Sequence, residues 1–139
     1  MAGPVPQRQP YPVAVTRIER FAELEQGWNG HDAAPIARRS RDTAIEFLYR
    51  VASEFGSAVP EPTVVAATSD GGVALEWIAK ADGEERGIEI VFLPNGSNEY
   101  SVRNRDERRV LDDGENLDLG FLLLNVIKPH VAGHFVLAR

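Results

Sequence analysis

Glu76, Glu89 and Glu99 are the residues whose type and spacing most invite chemistry. Each occupies a polar position in a segment that alternates apolar and polar residues: "VALEWIA", "GIEIVFL" and "NEYSVRN". Alternation turns successive side chains to opposite faces of a strand, so the glutamates share the face away from the core. Neighbouring carboxylates can exchange a proton, hold a hard cation such as Mg²⁺, or offer an acidic surface to a basic partner. A plain solvated face, with Lys80 and Arg103 as counter-charges, needs none of these roles. A hydrolase built on Glu76, Glu89 and His31 is the lesser alternative.

Other chemistries find little in the chain. No cysteine is present, so thiolate nucleophiles and disulfides are excluded. His130 and His134 are four apart, but Pro129 and Gly133 disturb the helix that would align them, and no H-E-x-x-H pattern occurs. No metal site and no cofactor are expected. The serines lie in no G-x-S-x-G elbow, and "SDGGVALEW" leads into a strand rather than a phosphate-cradling helix. Two arginine groups, Arg38, Arg39 and Arg41 and then Arg103, Arg105, Arg108 and Arg109, suggest phosphate contacts. Interleaved Asp42, Asp106, Glu107, Asp112 and Asp113 oppose them, as does a net charge of −6, so nucleic acid is not the expected partner.

The stretch "GWNGHDAAPI" at 27–36 places Trp28 between glycines, ahead of Asn29-Gly30 and Pro35. One reading makes Trp28 and Trp77 the stacking walls of a small-ligand or nucleotide pocket, beside His31. The other is a structural corner: Gly27 ends one helix, Asn29-Gly30 reverses the chain and Pro35 starts the next helix. Trp28 would then fold back onto the core, its indole N–H finding a partner. The residues favour the corner.

These residues must be positioned by a fold, and the periodicity supplies one. Pro4, Pro6, Pro10 and Pro12 predict an extended, flexible arm over residues 1–15. A helix is expected from Thr16, as N-cap, to Gln26, and a longer one from Pro35 to Phe55 with Gly56 as its stop. From residue 63 the period becomes two, giving four strands over about 63–103 joined by short turns at Asp70-Gly71-Gly72, "ADGEE" and "PNGS". "RNRDERRVLDDGEN" reads as a charged loop. "LDLGFLLLNVIKPHVA" then reads as a helix apolar on all sides, ended or kinked at Pro129. Such a helix must be buried all round, between sheet and helices or against a second copy. Phe121, Leu122, Leu124 and Ile127 are its candidate interface residues. The expected class is α+β: a four-stranded antiparallel meander, two N-terminal helices and one C-terminal helix on one face, forming a single domain over 16–139.

The segments "ELEQGWNGHDAAPIARRSRDTAIEFL" and "GGVALEW", with an acidic strand and an aromatic in the next, resemble a diffuse group of uncharacterised small bacterial proteins. That group pairs a GW(D/N)G corner and a Pro-led helix with a later Gly-Gly…Glu-Trp hairpin. The likeness spans roughly residues 20–102, and this chain carries Asn29 where the group often shows Asp. The resemblance implies an accessory protein of mobile or defence-related loci and brings no catalytic residue.

At 139 residues, 43% apolar and 26% charged, the chain has the composition of one globular domain. No apolar run approaches membrane-spanning length and no signal-like start is seen, so a cytoplasmic protein is expected. The combined expectation is a small acidic, non-enzymatic interaction protein, homodimeric, binding a protein partner in an antitoxin-like, immunity-like or defence-modulating role.

Overall fold

The computed structural model describes residues 9–81, 83–106 and 109–134. In chain order come α1 (Pro12–Arg20), α2 (Arg38–Phe55), β1 (Val64–Ala67), β2 (Val73–Ala81), β3 (Glu84–Phe92), β4 (Asn98–Asn104) and β5 (Val110–Glu115). A last helical segment, α3, covers residues 119–130. The strands form one five-stranded antiparallel sheet in the order β1-β2-β3-β4-β5. The class is α+β, with a strand more than the alternation predicts.

The extra strand is β5, drawn from the segment expected to be a charged loop. It lies at the edge of the sheet and all its residues but Gly114 are exposed, so no core-facing period marks "VLDDGE". Its backbone pairs with β4, placing Tyr100 opposite Gly114 and Ser101 opposite Asp113.

The first helix begins at Pro12, not Thr16, and ends at Arg20. Proline suits a first helical turn, where its missing N–H costs nothing. Glu61, from the stretch before β1, accepts the early Ala14 amide at 2.8 Å, a cap supplied from 47 residues away. Ala14, Val15 and Ile18 are buried, so the expected flexible arm gives way to packed structure by Pro12; residues 1–8 lie outside those described. Tyr11 donates from its hydroxyl to the Val59 carbonyl at 2.7 Å. Burial, then the Glu61 charge, push its phenol up to about 12.

Two further boundaries move. Gly27 does not end a helix, because α1 finishes in a short 3₁₀ turn at Phe21–Glu23. Pro35 does not start one, because α2 begins at Arg38. Gly56 does follow the last residue of α2, as expected. In α3 the turn Leu123–Ile127 widens to a π-helix. Pro129 lacks the N–H an α-helix would need there, and its ring would crowd the carbonyl one turn back; the wide turn just before it relieves that crowding.

The core lies between the helices and one face of the sheet. Val73, Leu75, Trp77 and Ala79 of β2, Ile88, Ile90 and Phe92 of β3, and Tyr100 and Val102 of β4 meet Ala44, Phe47, Leu48 and Val51 of α2. Phe47 and Phe92 stack at 5.5 Å between ring centroids, tilted by 52°. Each such large side chain contributes about 1.5–3 kcal/mol by leaving water. From α3, Leu122, Leu123, Val126 and Ile127 join this core, whereas Phe121 and Leu124 are exposed. Within the chain, the helix is therefore not buried all round. Leu122 and Ile127 belong to the chain's own core and are not free to meet a second copy. No described helix is long and apolar enough to cross a membrane.

Candidate functional site: an acidic groove on the open face of the sheet

Register fixes which side chains share the uncovered face. Glu76 of β2 stands directly opposite Glu89 of β3. Glu89 is in turn opposite Ser101 of β4, and Val91 opposite Glu99. Across the last pairing, Glu99 faces Glu115 and Ser101 faces Asp113. The three glutamates singled out from sequence are thus brought onto one face, and β5 adds Asp113 and Glu115 to them.

Two hollows lie on this face. One, of about 460 Å³, is lined by Glu89, Val91, Glu99, Ser101, Arg103, Asp113 and Glu115 among others. The second, of about 380 Å³, is lined by Glu76, Gly87, Glu89, Ser101, Arg103, Asn104 and Arg105. Glu89, Ser101 and Arg103 belong to both, so the hollows make one groove running obliquely over β2 to β5. Gly87 lines the second hollow beside Glu76, and a Cβ there would meet Glu76 Oε2 at an ordinary contact distance of 3.6 Å.

Electrostatics in the groove are unbalanced toward negative charge. Burial raises the Glu89 pKa above the ordinary carboxylate value, and the Glu76 charge adds to this. Arg103 pulls the other way and Glu99 raises it further. Arg105 is engaged with Glu85 at 3.4 Å. Like charges directly opposite in a sheet destabilise it by about 0.2–1 kcal/mol per pair. The fold carries two such pairs, Glu76 with Glu89 and Glu99 with Glu115.

No known protein family matches the chain, and no curated protein or solved structure matches it either. The groove must be read on its own chemistry.

The remaining sequence candidates lie elsewhere. Trp28 is half-buried and donates from its indole Nε1 to the Ala34 carbonyl at 2.8 Å. Trp77 is buried in the core, its Nε1 donating to the Pro60 carbonyl at 2.9 Å. Neither lines the groove. The corner that holds Trp28 is tied together locally. Asn29 Oδ1 accepts from the amides of His31 and Ala33, and the Gly27 amide donates to the Ala33 carbonyl at 2.8 Å. It is fastened to the β1–β2 turn by bonds from Ala34 to Ser69 and from Ala37 to Gly71, each 2.9 Å. Gly71 sits at φ +95°, and a Cβ there would come within 2.8 Å of the Pro35 carbonyl oxygen, so both backbone and space demand glycine.

His31 is exposed on this corner and is not among the groove residues, so it does not join Glu76 and Glu89 in a hydrolytic arrangement. His130 lies on α3, where burial and then the Arg86 guanidinium hold its pKa below the ordinary value, with Asp112 opposing and His134 reinforcing. Among the described residues, no group of three or more His, Asp or Glu side chains is arranged to hold a metal ion. Of the arginine groups, Arg38 and Arg39 are exposed at the start of α2, Arg103 and Arg105 border the groove, and Arg108 lies outside the described residues.

Sequence reasoning missed Asp113 and Glu115 as groove residues. The single signal was Gly114 between them: a Cβ there would press to 2.6 Å from the Tyr100 ring, which marks a strand position that another side chain closely approaches.

Proposed function

We propose that this chain is a non-enzymatic binding protein that holds a basic segment of a protein partner in the acidic groove on the open face of its sheet. The observation carrying this reading is the two like-charged cross-strand pairings on a concave surface, Glu76–Glu89, half-buried, and Glu99–Glu115, exposed. Lysine or arginine side chains entering the groove would neutralise charge that Arg103 only partly offsets. The antitoxin-like, immunity-like or defence-modulating setting implied by the corner and hairpin motifs suits such a module, since acidic binding proteins of this size can occupy the cationic surface of a partner.

The chemistry favours a protein over a nucleic acid. Glu89, Glu99, Asp113 and Glu115 outnumber Arg103 around the first hollow, and their charges repel phosphates. The hydrolytic reading that joined His31 to Glu76 and Glu89 loses its histidine, which is not among the groove residues.

The test is a titration with an octa-arginine peptide, followed by backbone amide NMR at low and physiological salt. Shifts concentrated at Glu89, Ser101, Arg103 and Asp113, weakening with salt, support the reading. Shifts scattered over all acidic surfaces, or none, overturn it.

A further inference from the structure

The two edges of the sheet are finished differently. On β1, the Val65 carbonyl receives a hydrogen bond from Arg17 Nε of α1 at 2.6 Å, so the chain occupies a backbone acceptor of its own edge. On the other side, β5 ends the strand order, and among the described residues nothing pairs with its outer edge.

The ladder with β4 shows which backbone groups of β5 point outward. The Asn116 amide donates to the Asn98 carbonyl at 2.6 Å. In an antiparallel pair, residues that exchange hydrogen bonds alternate with residues that do not. Counting back from Asn116, Gly114 and Asp112 turn their N–H and C=O groups toward β4. Asp113 and Glu115 turn theirs away from it. Their side chains stand on the open face, opposite Ser101 and Glu99. The same two residues therefore offer main-chain groups that nothing among the described residues pairs, and carboxylates in the groove.

We infer that β5 is the docking line for the partner: an extended, alternately basic segment pairs with it as a sixth, antiparallel strand. This rests on the acidic-groove reading and adds the mode of binding to it. Main-chain hydrogen bonds to Asp113 and Glu115 supply register, and alternate side chains supply specificity. Residues of the added strand opposite Asp113 and Glu115 place their side chains over the groove, so lysine or arginine belongs at every second position. The residues between them fall on the other face of the sheet. A second copy of this chain is the wrong occupant for this edge, because pairing β5 with β5 sets Asp112, Asp113 and Glu115 against the same carboxylates. Charges on an edge strand also discourage self-pairing in general; here the same charges select a cationic strand.

The test uses the full chain and capped eight-residue peptides alternating lysine and valine, in three forms. One is unmodified, one is N-methylated at the lysine amides and one at the valine amides. In the proposed register the lysine amides face β5 and the valine amides face solvent. The unmodified and valine-methylated peptides are expected to bind alike and to slow hydrogen exchange at the Asp113 and Glu115 amides about tenfold or more, while lysine methylation weakens binding by about tenfold or more. Equal binding of all three, with shifts at Glu89 and Ser101 and unchanged exchange at Asp113 and Glu115, overturns edge pairing and leaves the groove reading standing. Binding by none of them overturns both.

Discussion

Glu76 and Glu89 stand directly opposite one another across β2 and β3, on the face of the sheet turned away from the core. Burial and the Glu76 charge both raise the pKa of Glu89, so folding favours its protonated form. A carboxyl raised in the folded state binds more protons folded than unfolded, and stability falls as pH climbs from the ordinary value of 4.5 through the raised one. Glu89→Gln should therefore stabilise the protein at pH 7 by about 0.2–1 kcal/mol, with the gain vanishing in acid. Urea unfolding of both proteins across pH checks this, and a destabilised variant at pH 7 would contradict it. Glu76→Gln should give a similar gain, and the double variant less than the sum, since both relieve one repulsion.

His130 has the opposite sign. Its folded-state pKa lies below the ordinary 6.5, through burial and the nearby Arg86. The neutral imidazole is what the fold accommodates, so its contribution is full above pH 6.5 and is lost as pH falls through the folded value. His130→Gln should flatten the loss of stability on acidification from neutral pH. A wild-type and variant pair with parallel pH profiles would show that this site does not couple to folding.

Trp28 fixes the corner through its bond to the Ala34 carbonyl. Trp28→Phe keeps an aromatic ring but deletes that donor and part of the packed surface, and should cost about 1–2 kcal/mol in equilibrium unfolding. Peptide binding at the groove should be unchanged. A loss of binding without a loss of stability would return Trp28 to the list of ligand contacts.

Asn98 is a buried clamp at the entry to α3. Its Nδ2 donates to the Leu117 carbonyl at 2.6 Å while its Oδ1 accepts from the Leu117 amide at 3.1 Å. Asn98→Ala leaves both Leu117 groups without these partners and should cost about 2–4 kcal/mol. Thermal unfolding reads this out; a cost well under 1 kcal/mol would mean that water replaces the clamp at little expense.

What the sequence made legible follows burial. β2, β3 and β4 have one face in the core and one in the groove, so Leu75, Trp77, Ile88, Ile90, Tyr100 and Val102 alternate with polar neighbours and announce both strands and register. The shared face of Glu76, Glu89 and Glu99 could be read for the same reason. β5 could not, because an exposed edge strand has no buried side to impose a period. The start of α1 was hidden by Pro12, which reads as a breaker unless its place in the first turn is known, and by a cap that Glu61 supplies from far along the chain. The exposure of Phe121 and Leu124 was equally invisible: composition alone makes α3 apolar, and only packing decides which of its leucines the core uses.

The most direct test of the acidic groove compares two variants of equal charge. Glu89→Gln/Glu99→Gln/Glu115→Gln removes carboxylates from the groove, whereas Glu19→Gln/Glu23→Gln/Glu54→Gln removes as many from exposed positions on the helical side. With the alternating lysine–valine peptide at low salt, the groove variant should bind about tenfold or more weakly than wild type, and the control within about twofold of it. Equal weakening of both variants would show that net charge, not the groove, attracts the peptide, and would contradict the account.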